Sequence, residues 1–216
     1  MVIGGIAVIA HGVQRMTTDI DAVIQGDAVL VRTLIAQLRQ HHIVTRVADA
    51  EAFAATNLVL LARHHPTQID LDLSLGWTIF EHEAIAAREM TRFGRVLVPM
   101  AAVDDLLVFK AIAGRPRDVD DAVTLLTLYP NIDMIRVRAR VQALVRAAEA
   151  PELEAGLERI ISTFAAIRAP RSPDAKSRVR PRRSTVAARK AVAPSPAKKS
   201  APTKRAPTKR PKPSRK

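Results

Sequence analysis

Apolar positions recur along this chain with two different periods, and the two periods set out its elements. Alternation marks Thr18 to Ile24, where Ile20, Ala22 and Ile24 share one side of a strand and Asp19, Asp21 and Val23 the other. Ile43 to Val47 is a second, shorter strand. Asn57 to Arg63 and Gln68 to Leu75 predict two more, joined by the turn His64-His65-Pro66-Thr67, and Arg95 to Pro99 a fifth. Helical spacing takes over elsewhere. Ile6 to Ala10 reads as a short helix behind Gly4-Gly5. Gly26-Asp27 opens a longer one, with Val29, Leu30, Leu34, Ile35 and Leu38 recurring through Gln40. Further helices are expected over 79–90, 102–113, from Pro116 onward, over 131–148 and, after the break at Pro151, over 152–167. Strands interleaved with helices predict an α/β (α+β) domain with a small mixed sheet and flanking helices.

The patterning stops near Ala169-Pro170. All seven aromatic residues precede that point, whereas nine of the 14 prolines follow it. Residues 169–216 carry 17 Lys and Arg against one acid, Asp174, a charge of +16; the preceding residues carry 17 basic and 20 acidic side chains, a charge of −3. The overall +13 therefore belongs to a basic tail that contains the repeat Ala201-Pro-Thr-Lys-Arg205, Ala206-Pro-Thr-Lys-Arg210. Such a segment cannot bury apolar surface, so it is expected to be disordered and to bind nucleic acid by charge alone. Three regions follow: residues 1–128, a helical extension 129–168 and the tail 169–216. No apolar run is long enough to span a bilayer, the N-terminus lacks the basic start of a signal peptide, and cysteine is absent. A cytoplasmic protein is expected.

Candidate chemistry sits at both ends of residues 1–128. Asp19 and Asp21 point the same way, and two carboxylates held side by side suit a hard divalent cation, above all Mg²⁺. Gly4 and Gly5 enter a helix, where bare Cα atoms and free N–H groups let a phosphate approach closely. A phosphate site and a metal site together describe phosphoryl or nucleotidyl transfer. Asp70 and Asp72 share a face of the fourth predicted strand. Lys110 is the one lysine among the first 168 residues, beside 16 arginines, and a compact point charge suits a phosphate. The pairs His41-His42 and His64-His65 lack the spacing of a zinc site. His11, near the glycines, is a candidate lining residue of the nucleotide pocket.

Gly4-Gly5, then Arg15-x-Thr17-Thr18-Asp19-x-Asp21, resembles the first motif of the polymerase-β nucleotidyltransferase superfamily, in its AbiEii-like branch of minimal nucleotidyltransferases, many of them toxins. Asp72-Leu73-Ser74-Leu75-Gly76 resembles the stretch that carries the third metal carboxylate, with Asp70 as the rival to Asp72. Lys110 through Arg115, Asp118 and Asp121 resembles the C-terminal motif. The resemblance implies a catalytic triad Asp19, Asp21 and Asp72 holding two Mg²⁺ ions, and an NTP substrate met by Gly4, Gly5, Arg15, Lys110, Arg115 and Asp118. It implies transfer of a nucleoside monophosphate to an RNA, a protein hydroxyl or a small molecule, and an antitoxin protein as a partner. The motif expects a full strand before the glycines. Only three residues stand there, so that strand is very short or the start lies upstream of Met1. Two other readings use the same residues: a nucleic-acid-binding protein on a degenerate version of the fold, and a kinase-like phosphotransferase.

Overall fold

A computed structural model describes residues 1–26 and 28–169. In chain order the elements are α1 (Gly4–Ala10), β1 (Asp19–Gln25), α2 (Ala28–Gln40), β2 (Ile43–Thr45), α3 (Ala50–Asn57), β3 (Val59–His64), β4 (Ile69–Gly76), α4 (Ile79–Ala86), β5 (Glu89–Phe93) and β6 (Val96–Met100). Four more helices follow: α5 (Val103–Ala113), α6 (Pro116–Leu128), α7 (Met134–Ala148) and, after a 3-10 turn at Pro151–Leu153, α8 (Glu154–Arg168). The fold class is α+β, with a small mixed sheet. The expected tail, 169–216, lies outside the described residues apart from Ala169.

One sheet has the order β1-β4-β3-β2. β1 runs parallel to β4, whereas β3 is antiparallel to both β4 and β2. β5 and β6 form a hairpin. The residues before Gly4 join the two. Val2 bridges Ala22 on one side and Met100 on the other, with Ile3 N donating to Asp21 O at 2.9 Å and Val2 N to Pro99 O at 2.7 Å. A stretch of three residues thus does the work of the strand that the sequence pattern asked for.

The sheet sorts its side chains as alternation requires. Ala22, Leu73, Leu75 and Leu60 are buried with Val31 and Ile35 of α2 and Ala50 and Ala54 of α3. The aspartates of β1 and β4 lie on the opposite face, because period two sends neighbouring residues to opposite sides. A second apolar cluster joins α1, α4, β6 and α5 to α8 around Leu106, Leu107, Leu125, Val137, Val141, Leu157 and Ile160. The helical extension therefore packs into the same core as α5 and α6.

Two elements depart from the sequence pattern. Residues 79–90 are not one helix. α4 starts where Thr78 and Glu81 form a reciprocal cap, stops at Ala86, and the chain turns into β5. α3, which carries no clear helical stripe, is begun by Asp49, whose carboxylate accepts from Ala52 N at 3.2 Å.

Candidate active site

Cross-strand register places the charges. Asp19 stands beside Asp70 and Asp21 beside Asp72 in the parallel β1–β4 ladder. Across β4, Asp70 faces Arg63 and Asp72 faces Leu61. Arg46 N donates to Leu61 O at 2.9 Å, one step past the last β2–β3 pair. Residues paired across a sheet share a face. Two rows therefore cross this surface: Arg63, Asp70, Asp19 in one and Arg46, Leu61, Asp72, Asp21 in the other.

The rows are not equivalent. Asp70 is gripped by Arg63, whose Nη2 donates at 3.1 Å, and by Arg46, whose Nη1 donates at 3.1 Å. The Arg63 hydrogen bond, aided by both guanidinium charges, holds its carboxyl below the usual carboxylate range. Asp72 also receives Arg46, through Nη2. Asp19 accepts from the Thr17 hydroxyl at 2.5 Å. Among the described residues no ion pair reaches Asp19 or Asp21. Burial, and then the charges of Asp19 and Asp72, push the Asp21 carboxyl up. The repulsion that Asp21 feels thus comes from Asp19 and Asp72.

Gly4 has φ +60°, and a Cβ there would overlap the Asp21 carboxylate. The side chain that matters at Asp21 is seated on the bare Cα of Gly4. Gly5 lines the cleft, and a Cβ on it would crowd Thr17.

The cleft holds about 270 Å³ and is lined by Gly5, Arg15, Asp19, Asp21, Lys110, Arg115, Arg117 and Asp118. Lys110, Arg115, Arg117 and Asp118 are placed by a tight corner. Gly114, at φ +56°, ends α5, its N–H bonding back to Lys110 O at 3.0 Å, and Pro116 starts α6. That corner brings the end of α5 against the start of α6. Lys110 Nζ reaches Asp118 at 2.8 Å and Asp121 at 2.9 Å, all three side chains being 6% exposed or less. Arg15 pairs with Asp121, and Arg115 Nε donates to Asp118 at 2.6 Å. Burial alone would raise the Asp118 carboxyl. Hydrogen bonds from Arg115 and Lys110, with their charges, outweigh it and hold the carboxyl low.

Of the residues singled out in the sequence, Gly5, Arg15, Asp19, Asp21, Lys110, Arg115 and Asp118 line this cleft together. Gly4 underlies it, and Asp70 and Asp72 extend the sheet face outward. His11 does not belong to it. Its Nε2 lies 2.8 Å from Ala101 O and its ring meets Tyr129 edge-on at 6.0 Å, so it is a buried structural residue. Asp121 belongs to the C-terminal motif quoted above but had no role of its own; Arg117, which lines the cleft, and Arg46 were not singled out, and Arg46 becomes visible only through register. The β2–β3 pairing sets His42 beside His65, and among the described residues no three His, Cys, Asp or Glu side chains gather as a metal cage. The donor chemistry nonetheless suits a hard divalent cation: Asp19 and Asp21 offer carboxylate oxygens that no ion pair among the described residues occupies, and Asp72 is the next carboxylate across the sheet.

A larger groove of about 430 Å³ lies between α6, α7 and α8, lined by Leu126, Met134, Ile161 and Phe164. It contains no acid or nucleophile. Among the described residues no helix is long and apolar enough to cross a membrane. No protein-family model matches the chain, and no curated protein matches it.

Proposed function

We propose that this chain is a metal-dependent nucleotidyltransferase of the polymerase-β type, moving a nucleoside monophosphate from an NTP to an acceptor in the cytoplasm. One observation carries the reading. Parallel pairing sets Asp21 beside Asp72, and Asp21 lines a cleft together with Arg15, Lys110, Arg115 and Arg117. Anionic oxygens for a cation face cationic groups for a polyphosphate, and that pairing is what the transfer needs.

Asp19, Asp21 and Asp72 would hold the ions. Mg²⁺ bound there supplies charge neutralisation and Lewis acidity at the phosphates. Arg15, Lys110 and Arg115 orient the triphosphate, and Gly5 lines the cleft beside them. The side chain of Asp72 is 41% exposed, so it can accept a proton from an approaching acceptor hydroxyl. The acceptor oxygen bonds to the α-phosphorus, the bond to the β-phosphate breaks, and pyrophosphate leaves.

The test is transfer of label from NTPs radiolabelled at the α-phosphate onto total RNA and onto the protein itself, with Mg²⁺ and with EDTA. Label should require Mg²⁺ and vanish in Asp19→Asn and in Asp21→Asn alike, because groups acting as one unit are not additive. Label that survives EDTA would sink the mechanism. Transfer of the γ-phosphate instead would point to a kinase-like reaction. One observation favours the degenerate-fold reading: Arg15, Lys110 and Arg115 are already paired with Asp118 and Asp121. Absence of both transfer and nucleotide binding by calorimetry would select it.

A further inference from the structure

The four aspartates of β1 and β4 are served by two guanidiniums, and both lie on the β4 side. Asp70 has two partners, Arg63 and Arg46. Asp72 has one, Arg46. Arg46 stands two strands away from Asp72, roughly 10 Å between backbones. Its side chain reaches over Leu61 to bridge Asp70 and Asp72 with its two terminal nitrogens. The backbone bond from Arg46 N to Leu61 O, 2.9 Å, fixes the base of that reach.

The Arg46 guanidinium occupies Oδ1 of Asp72 and offsets its charge, so a metal ion arriving at that carboxylate meets a resident cation. Asp72 is therefore tied to Arg46, while Asp21 stands beside it on β1. Its negative charge still repels the Asp21 carboxyl beside it. The face keeps two more carboxylates than guanidiniums, an excess matched by one divalent cation.

We propose that Arg46 is the resident counter-cation of Asp72 and is exchanged for a divalent metal ion: when the ion joins Asp21 to Asp72, Arg46 lets go of Asp72 and keeps Asp70. This rests on the reading of Asp19, Asp21 and Asp72 as metal ligands. Arg46 is a positioning residue, since it acts through Asp72. The exchange sets the metal affinity below what the carboxylates alone would give.

The experiment measures Mn²⁺ binding to the full chain by the loss of the free-ion electron-resonance signal, without nucleotide. Arg46→Gln removes the competing charge and preserves the backbone bond to Leu61. It should bind Mn²⁺ about tenfold more tightly than wild type. Arg46→Lys keeps a charge but cannot bridge both carboxylates, and its affinity should fall between the two. The gain should disappear in Arg46→Gln/Asp72→Asn. In wild type, Mg²⁺ should shift the side-chain nitrogen resonances of Arg46 and leave those of Arg63 in place. Unchanged or weaker Mn²⁺ binding in Arg46→Gln, with Asp21-dependent binding intact, overturns the exchange and spares the metal reading. Loss of Asp21-dependent Mn²⁺ binding from every variant, wild type included, overturns both.

Discussion

Lys110 lies between Asp118 and Asp121 with its ammonium group buried, and each carboxylate has a second cation, Arg115 or Arg15. Removing Lys110 leaves two buried carboxylates short of a partner. Lys110→Met should cost about 3–5 kcal/mol, read from urea denaturation. Asp118 adds an acid limit. Its folded carboxyl is held below its unfolded value, so it stabilises the fold above the unfolded pKa and that stability fades as pH falls through the folded one. Wild type should lose stability below roughly pH 4, and Asp118→Asn should show a flatter slope there. Asp21 has the opposite sign. Its carboxyl is raised in the fold, first by burial, so ionising it works against folding as pH rises past the unfolded value. Asp21→Asn should therefore raise Tm at neutral pH while ending the proposed transfer, the trade that strained functional groups commonly show.

The corner between α5 and α6 depends on how closely α8 approaches. Gly156 of α8 lies against the Ala111 carbonyl and Gly114, and a Cβ there would overlap that carbonyl. Gly156→Ala gains helix propensity on paper, yet overpacking should make it destabilising by roughly 1–3 kcal/mol, measurable by thermal unfolding. The same corner shows how far the pattern of residues could be read. Gly114 and Pro116 mark helix end and helix start by local stereochemistry, and the structure places both as expected. Strands β1, β3 and β4 were legible too, β3 from its apolar run and β1 and β4 from apolar residues interleaved with spaced aspartates. β5 was not. Glu89–Phe93 continues a helix-compatible run, and it is a strand because β6 supplies its hydrogen bonds. α3 was passed over because its small, mostly uncharged residues carry no stripe, and Asp49 alone announces it.

Across the whole molecule, charge was the easiest property to read and register the hardest. The −3 and +16 halves are plain from residue counts. That contrast predicts a separable behaviour: a chain ending at Ala169 should keep its folding transition and lose most duplex DNA binding at low salt, measured by anisotropy across a salt series. Equal binding by the shortened chain would exclude the tail as the contact. The carboxylate face was half legible. Motif spacing brought Asp19, Asp21 and Asp72 forward, but the guanidinium opposite Asp72 is set by two successive strand pairings that no local pattern encodes. Those pairings also impose a timetable. Asp21 and Asp72 become neighbours only by closing a long parallel crossover, a slow kind of contact to make. A chain leaving the ribosome presents Gly4, Asp19 and Asp21 early, and Lys110, Asp118 and Asp121 last. Whatever the cleft receives, it receives only after synthesis has passed α6 and supplied its last lining residues.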